Sequence, residues 1–159
     1  MKSFKAHLES VKSHGEKVSL TRRPIYRASA IFTVFNTENL STRILYMGYW
    51  MLKKNIPEVG LLITLRNQTG EIIFRSNRVI DSYEAQEIEV RGLLIESGVD
   101  LNRDFLGSVE LEIFSTRDLV YPYPGFVVNY YNGEGSGVVH TTGRIYNDYE
   151  IDISVVYRL

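Results

Sequence analysis

The sequence predicts an all-β fold, either an antiparallel β-sandwich or a flattened barrel, with roughly eight to ten short strands. Three observations lead to this prediction. Apolar and polar residues alternate along most of the chain after residue 16, which is the period of a half-buried strand. Turn-forming residues separate these runs at short intervals. Only residues 1–16 have helical spacing, with Phe4, Leu8 and Val11 on one side.

Length and composition are those of one globular domain. The chain has 159 residues, of which 44% are hydrophobic and 23% are charged. No internal repeat or low-complexity linker marks a second domain. We therefore expect a short helix or flexible tail over residues 1–16 and a single β-sandwich domain over residues 17–159.

Charge and residue usage exclude several function classes. The formal net charge of −1 provides no field that would attract nucleic acid or an anionic membrane. The absence of cysteine excludes disulfides, a thiol nucleophile and cysteine-based metal sites. No stretch has the length of a signal-peptide core or a membrane span, so we expect a cytoplasmic protein without membrane insertion.

The first half of the predicted domain reads as strands with one hairpin. Residues 26–35 alternate, and their apolar members form one face. Residues 42–53 are apolar on both faces, which predicts a central strand buried on two sides. Alternation over residues 59–65, a turn at 67–70 and apolar residues from 72–74 together predict a β-hairpin.

The second half continues the same pattern. Residues 86–91 alternate as a strand, and residues 92–98 form an apolar connection. Residues 108–114 form another strand, with Glu110 and Glu112 predicted on the solvated face. Two carboxylates at this spacing lie roughly 7 Å apart, which is compatible with acid–base chemistry but is also common on solvated strands. We interpret the pair as structural.

Residues 121–148 form the chemically richest segment. It contains six aromatic residues, five glycines and two prolines. The prolines interrupt strand pairing, and the glycine-rich loop at 133–137 predicts a hairpin. We expect the polar side chains of this segment to form a ligand-binding site at one end of the sandwich. The predicted site residues are Tyr121, Tyr123, Asn129, Tyr131, His140 and Arg144.

Catalytic signatures are weak in this segment. Gly135-Ser136-Gly137 has only the inner positions of a nucleophile elbow. His140 is the only histidine after residue 14, so no two-histidine metal motif exists in the body of the chain. We predict no catalytic residue, metal ligand or cofactor.

The function predicted from these observations is that of a non-catalytic module. It recognises a small polar ligand, with carbohydrate as one class, or a protein partner, and it assembles as a homo-oligomer. The tyrosines alternatively form a subunit interface or part of the core. Two further alternatives are a metal-assisted enzyme centred on His140 and a structural scaffolding subunit.

The order of elements is similar to the small bacterial β-sandwich family of the sensory rhodopsin transducer. The similarity consists of a hairpin over 63–79, an alternating strand over 87–94, a spacer over 105–111, a further strand, and a proline-bearing break before a strand with tyrosines. It spans residues 60–145. The resemblance implies a cytoplasmic, non-enzymatic, oligomeric β-sandwich that binds partners or small ligands, and it transfers no specific functional residue.

Overall fold

The structure is a computed structural model that describes residues 24–115, 125–140 and 144–149; the segment 1–16, predicted as a helix or tail, lies outside them. The described residues form nine strands and two helices. The strands are β1 (Pro24–Asn36), β2 (Ser41–Met47), β3 (Val59–Asn67), β4 (Ile72–Ile80), β5 (Ala85–Glu89), β6 (Phe105–Ser115), β7 (Val127–Tyr131), β8 (Ser136–His140) and β9 (Arg144–Tyr149). The helices are α1 (Tyr49–Lys54) and α2 (Val90–Ser97).

The strands belong to one antiparallel network that divides into two sheets. β1 and β2 are joined only through the pair of Asn36 with Ser41, next to their turn. Sheet I has the order β4-β3-β6-β1-β9, and sheet II has the order β5-β2-β7-β8. Over the described residues the network is open, because its path ends at β4 and β8. The predicted all-β sandwich is confirmed, in its open form and not as a barrel.

One apolar core includes residues of both sheets. Sheet I contributes Phe32, Leu61 and Leu111, and sheet II contributes Ile44 and Val128, all at most 4% exposed. These residues occupy alternate positions of their strands, so one face of each sheet is apolar. The alternation predicted for β1, β3 and β6 is confirmed on this core side.

Two segments predicted without helix are helical. β2 ends at Met47, and the remainder of the predicted strand at 42–53 is largely α1. The predicted connection at 92–98 forms most of α2. Each helix buries an apolar side chain, Trp50 in α1 and Leu94 in α2, both 1% exposed. The strand predicted at 42–53 was wrong beyond Met47 because a short run that is apolar on all sides fits a buried strand and a buried helix equally well.

β9 pairs with only the first part of β1, and residues of sheet II contact the remaining part of that edge. The Tyr130 hydroxyl donates to the carbonyl oxygen of Thr33 at 2.7 Å, and the Tyr130 ring packs edge-on against Phe35 with centroids 5.8 Å apart. The Thr42 hydroxyl oxygen accepts the backbone N–H of Phe35 at 2.9 Å. These bonds satisfy backbone groups that β9 does not reach, and they fix sheet II relative to sheet I.

Gly125 allows the chain to enter β7 close to α1. Its φ of 74° is in the left-handed region, which favours glycine. A Cβ at this position would collide with the ring of Tyr49. That ring stacks on Trp50 with centroids 4.4 Å apart. The glycine therefore lets the entrance to β7 pack against an aromatic pair of the core.

Candidate functional site

Three of the six predicted site residues lie on one face of sheet II. Asn129 and Tyr131 belong to β7, and His140 ends β8. Residues that face each other across two strands project to the same side of a sheet. The register pairs are Val127 with His140, Asn129 with Val138, and Tyr131 with Ser136. We call this surface the outer face, and its polar residues are Ser41, Arg43, Glu87, Glu89, Asn129, Tyr131, Ser136 and His140.

The other three predicted residues are placed elsewhere. Tyr121 and Tyr123 lie outside the described residues. Arg144 begins β9 and pairs with Ser29, so its strand belongs to sheet I. The described part of the predicted return strand, β8, reaches His140, and residues 141–143 lie outside the described residues. The structure therefore brings together Asn129, Tyr131 and His140 on one face and assigns Arg144 to the other sheet.

Arg43, a residue that the sequence analysis did not single out, lies at the centre of the outer face. Its Nε donates to Oδ1 of Asn129 at 2.8 Å. Its guanidinium carbon lies 4.9 Å from the ring centroid of Tyr131, a cation–π distance. One terminal nitrogen is 3.5 Å from a carboxylate oxygen of Glu87. These three partners hold the guanidinium in a defined orientation.

Tyr131 is held from its other end by Glu89. The hydroxyl donates to a carboxylate oxygen of Glu89 at 2.8 Å. Burial, followed by the bond to Glu89 and the negative charge of that group, raises the pKa of the Tyr131 hydroxyl. The hydroxyl therefore keeps its proton at neutral pH and remains a donor.

Asn129 is buried, at 3% exposed, and its side chain is bonded at both ends. Its Oδ1 accepts from Arg43, and its Nδ2 donates to the carbonyl oxygen of Gly137 at 3.2 Å. A buried amide with both ends bonded does not bear the desolvation penalty of an unpaired group. Asn129 therefore acts as the support that positions Arg43.

The charges of the outer face favour particular ligand classes. Arg43 is flanked by two carboxylates, Glu87 and Glu89, so the cluster carries one excess negative charge with His140 neutral. The Arg43 and Glu87 side chains keep 37% and 52% of their surface exposed, so donors and acceptors reach solvent together. A neutral polar ligand suits such a face better than an anion.

His140 does not gather metal ligands in the part of the chain that the structure describes. It shares a row of the sheet with Val127, Leu45 and Glu87, and the first two of these are apolar. Glu87 is three strand spacings away, about 14 Å. Among the described residues, no group of three His, Asp or Glu side chains is arranged to hold a metal ion.

The paired carboxylates of β6 are not both solvated, which corrects the prediction. Glu112 is 4% exposed and forms an ion pair with Arg27. Glu110 is only half-buried and pairs with Arg66 at 3.2 Å. Burial is the main cause that raises the pKa of the Glu112 carboxyl, and Arg27 opposes the shift.

This carboxylate pair lies on the face of sheet I that points away from the core. Leu62 and Phe114 on the same face are 1% exposed, so the sheet is buried there on both sides. The hydroxyl of Thr64 is also buried and has no hydrogen-bond partner among the described residues. Because Glu112 has almost no accessible surface, the pair is better placed for a structural role than for acid–base catalysis.

The sequence held a weak signal for the residues that were missed. Arg43 is the only charged residue of β2, and Glu87 and Glu89 lie on either side of the buried Ile88 on β5. These side chains come together with those of β7 because β2 lies between β5 and β7. That strand order involves contacts between segments up to 86 residues apart, which local periodicity does not encode.

Comparison with known proteins found no matching family model, no matching curated protein and no matching solved structure. The resemblance to the sensory rhodopsin transducer family therefore stays a prediction. Within the described ranges, neither helix has the length and apolar character needed to cross a membrane.

Proposed function

We propose that this protein is a non-catalytic binding module that recognises a neutral polar ligand on the outer face of sheet II. The observation that supports the proposal is the fixed orientation of Arg43, held by Asn129, Tyr131 and Glu87 on an exposed surface. A polar group that is already oriented loses less conformational entropy when a ligand binds. Such preorganisation is of use for binding and requires no catalytic group.

Carbohydrate is the ligand class that we propose. Sugar hydroxyls both donate and accept hydrogen bonds, and the outer face offers guanidinium N–H groups beside carboxylate oxygens. Met47 and Val138 expose 40% and 62% of their surface on the same face, which provides apolar contacts for the C–H groups of a sugar. The excess negative charge disfavours phosphorylated or acidic sugars.

We also propose that the protein assembles as a homo-oligomer. A structural scaffolding role is the second candidate function. The exposed edge strand β8 of sheet II favours contact with another protein. A metal-assisted enzyme around His140 has less support, because its row neighbours among the described residues are apolar.

An array of neutral and acidic glycans tests the proposal. Wild type is compared with Arg43→Met and with Arg78→Met, which removes a partly exposed ion pair between Arg78 of β4 and Glu96 of α2. We expect wild type and Arg78→Met to bind the same neutral glycans and Arg43→Met to bind them at least tenfold more weakly. Absence of any glycan binding by wild type, or equal binding by all three proteins, would contradict the proposal.

Glu87→Gln provides a second variant that does not disturb a buried group. Its side chain is 52% exposed, so the fold tolerates the change, yet an acceptor for sugar hydroxyls becomes a weaker one. We expect reduced glycan affinity with an unchanged melting temperature. Reduced binding in Arg43→Met alone, without an effect of Glu87→Gln, would indicate damage to the fold and not loss of a ligand contact.

A further inference from the structure

The edge strand of sheet II, β8, is exposed on both of its faces. Val138 is 62% exposed on the outer face. Val139 is 49% exposed on the opposite face, although its partner Val128 is fully buried in the core. No described strand pairs with the free edge of β8. Among the described residues, the strand therefore presents apolar side chains together with a backbone edge that no other described strand covers.

Among the described edge strands, β4 and β5 each carry charges of one sign, and β8 does not. β4 at the end of sheet I contains Arg75 and Arg78, and β5 at the far side of sheet II contains Glu87 and Glu89. Charged side chains are a common protection of sheet edges against unwanted pairing. A second copy of the chain that approached β4 or β5 edge to edge would oppose like charges. At β8 the only ionisable residue is His140, so self-pairing meets no such repulsion.

The register of the β7–β8 hairpin shows which backbone groups reach the free edge. The N–H of Asn132 donates to the carbonyl oxygen of Gly135 at 3.0 Å, so these two residues form a hydrogen-bonded pair. Hydrogen-bonded and non-hydrogen-bonded pairs alternate along an antiparallel ladder. Gly137 and Val139 therefore bond to β7, whereas Val138 directs its N–H and C=O toward the open edge.

We propose that two copies of this chain pair through β8, antiparallel, about a twofold axis at Val138. Each Val138 exchanges two backbone hydrogen bonds with the partner subunit's Val138, and sheet II of both copies becomes one eight-stranded sheet. Val139 then lies opposite the partner subunit's Gly137, which has no side chain to oppose it. Ser136 lies opposite the partner subunit's His140, so polar residues face each other on the outer face.

This pairing adds a residue to the proposed ligand site, and in that respect it rests on the proposed function. Tyr131 and Ser136 share a row of the sheet, and the partner subunit's His140 extends that row. Two strand spacings place this histidine about 10 Å from Tyr131, whereas His140 of the same chain is about 14 Å away, four residues along β8. Each copy would thus supply a histidine to the outer face of the other.

A single cysteine on the twofold axis tests the pairing directly. The chain has no cysteine, so Val138→Cys introduces the only thiol. Hydrogen-bonded antiparallel partners have Cα atoms about 5.5 Å apart, which is within the range of a disulfide. With oxidised glutathione at micromolar protein, we expect Val138→Cys to form a covalent dimer. Ile31→Cys on β1, where the native residue is 61% exposed, is the matched control and should remain uncrosslinked. Equal cross-linking of both variants, or of neither, overturns the proposal.

Proline substitutions test the role of the backbone edge. Val138→Pro removes an N–H that points to the open edge, and proline is tolerated at such positions. Val139→Pro removes a bond to β7 and should lower the melting temperature of the fold. By light scattering we expect a dimeric wild type and a monomeric, folded Val138→Pro. A monomeric wild type, or a dimeric Val138→Pro, overturns the proposal.

The same proteins separate this inference from the proposed function. If Arg43→Met remains dimeric and binds no glycan, ligand binding and assembly use different groups, as expected. If wild type is a monomer that still binds neutral glycans through Arg43, only the pairing fails. If wild type is a β8-linked dimer that binds no glycan, the pairing stands and the proposed ligand class fails.

Discussion

Arg43 of β2 donates to the side-chain oxygen of Asn129 on β7 at 2.8 Å, across 86 positions of sequence. The other end of the Asn129 amide bonds the backbone of Gly137 on β8. One buried side chain thus connects three strands and orients the charged group at the centre of the outer face.

Arg43→Met should destabilise the protein. The substitution keeps the aliphatic stem but leaves Oδ1 of the buried Asn129 without its donor, which costs about 1–3 kcal/mol. Chemical denaturation measures the free energy of unfolding. Arg78→Met removes a partly exposed ion pair and should change that free energy by less than about 1 kcal/mol. Equal effects of the two substitutions would mean that Asn129 does not depend on Arg43.

Tyr131→Phe and Tyr130→Phe should lower stability to a similar extent but differ in their effect on glycan binding. Each removes one hydroxyl bond, from Tyr131 to Glu89 or from Tyr130 to the carbonyl oxygen of Thr33, and each should cost about 1–2 kcal/mol of stability. Only Tyr131 lies on the outer face. Glycan affinity measured by calorimetry should therefore fall for Tyr131→Phe and stay unchanged for Tyr130→Phe. The reverse order of affinities would place the ligand elsewhere.

The stability of the fold should depend on the ionisation of Glu112. Burial raises the pKa of this carboxyl above its ordinary value of 4.5, so the folded state favours the protonated form. Its favourable contribution is complete below pH 4.5 and is lost as the pH rises through the folded-state pKa. Glu112→Gln mimics the protonated form at every pH. We expect the variant and wild type to melt together near pH 4, and the variant to melt higher at pH 7.

A lower melting temperature of Glu112→Gln than of wild type at pH 7 would contradict this prediction. Arg27 is the ion-pair partner of Glu112 and lowers its pKa. If Glu112→Gln melts lower than wild type at pH 7, the attraction of Arg27 exceeds the cost of burying the carboxylate. The Asp100→Asn variant is a suitable control, because that side chain is 55% exposed and should show little pH-dependent difference.

Gly125→Ala should destabilise the entrance to β7. The positive φ and the collision of a Cβ with the Tyr49 ring both oppose a side chain, and we expect a loss of more than about 1 kcal/mol. Gly133→Ala, in the hairpin loop with open space around it, should change stability by about 0.5 kcal/mol or less. Thermal unfolding compares the two. Similar melting temperatures would show that α1 moves aside at little cost.

Local periodicity was sufficient for the strands that have one apolar face. The alternation of β6 predicted that Val109, Leu111 and Ile113 point to the core, and all three are fully buried. Local periodicity was not sufficient for strands whose two faces are both buried. Glu112 was predicted to be solvated because the residue type and the period both favour exposure, yet the second face of sheet I is covered around it.

Only the part of the candidate site that lies on the β7–β8 hairpin could be predicted from the sequence. Asn129 and Tyr131 alternate on β7, and the glycine-rich turn places His140 on the same side. Arg43 and Glu89 reach them through the order of strands in sheet II, and Arg144 leaves for sheet I after only three residues. Which sheet a strand joins is decided by long-range packing, and the residue pattern of the strand itself is compatible with either.

Amide chemical-shift mapping with a neutral glycan tests the central claim most directly, that the outer face of sheet II binds the ligand. We expect the largest shifts on titration at the amides of β2, β5 and β7 around Arg43, Glu89 and Asn129, and we expect β3 and β4 of sheet I to stay unchanged. Shifts confined to sheet I, or no shifts at millimolar concentrations of any neutral glycan on the array, would contradict it.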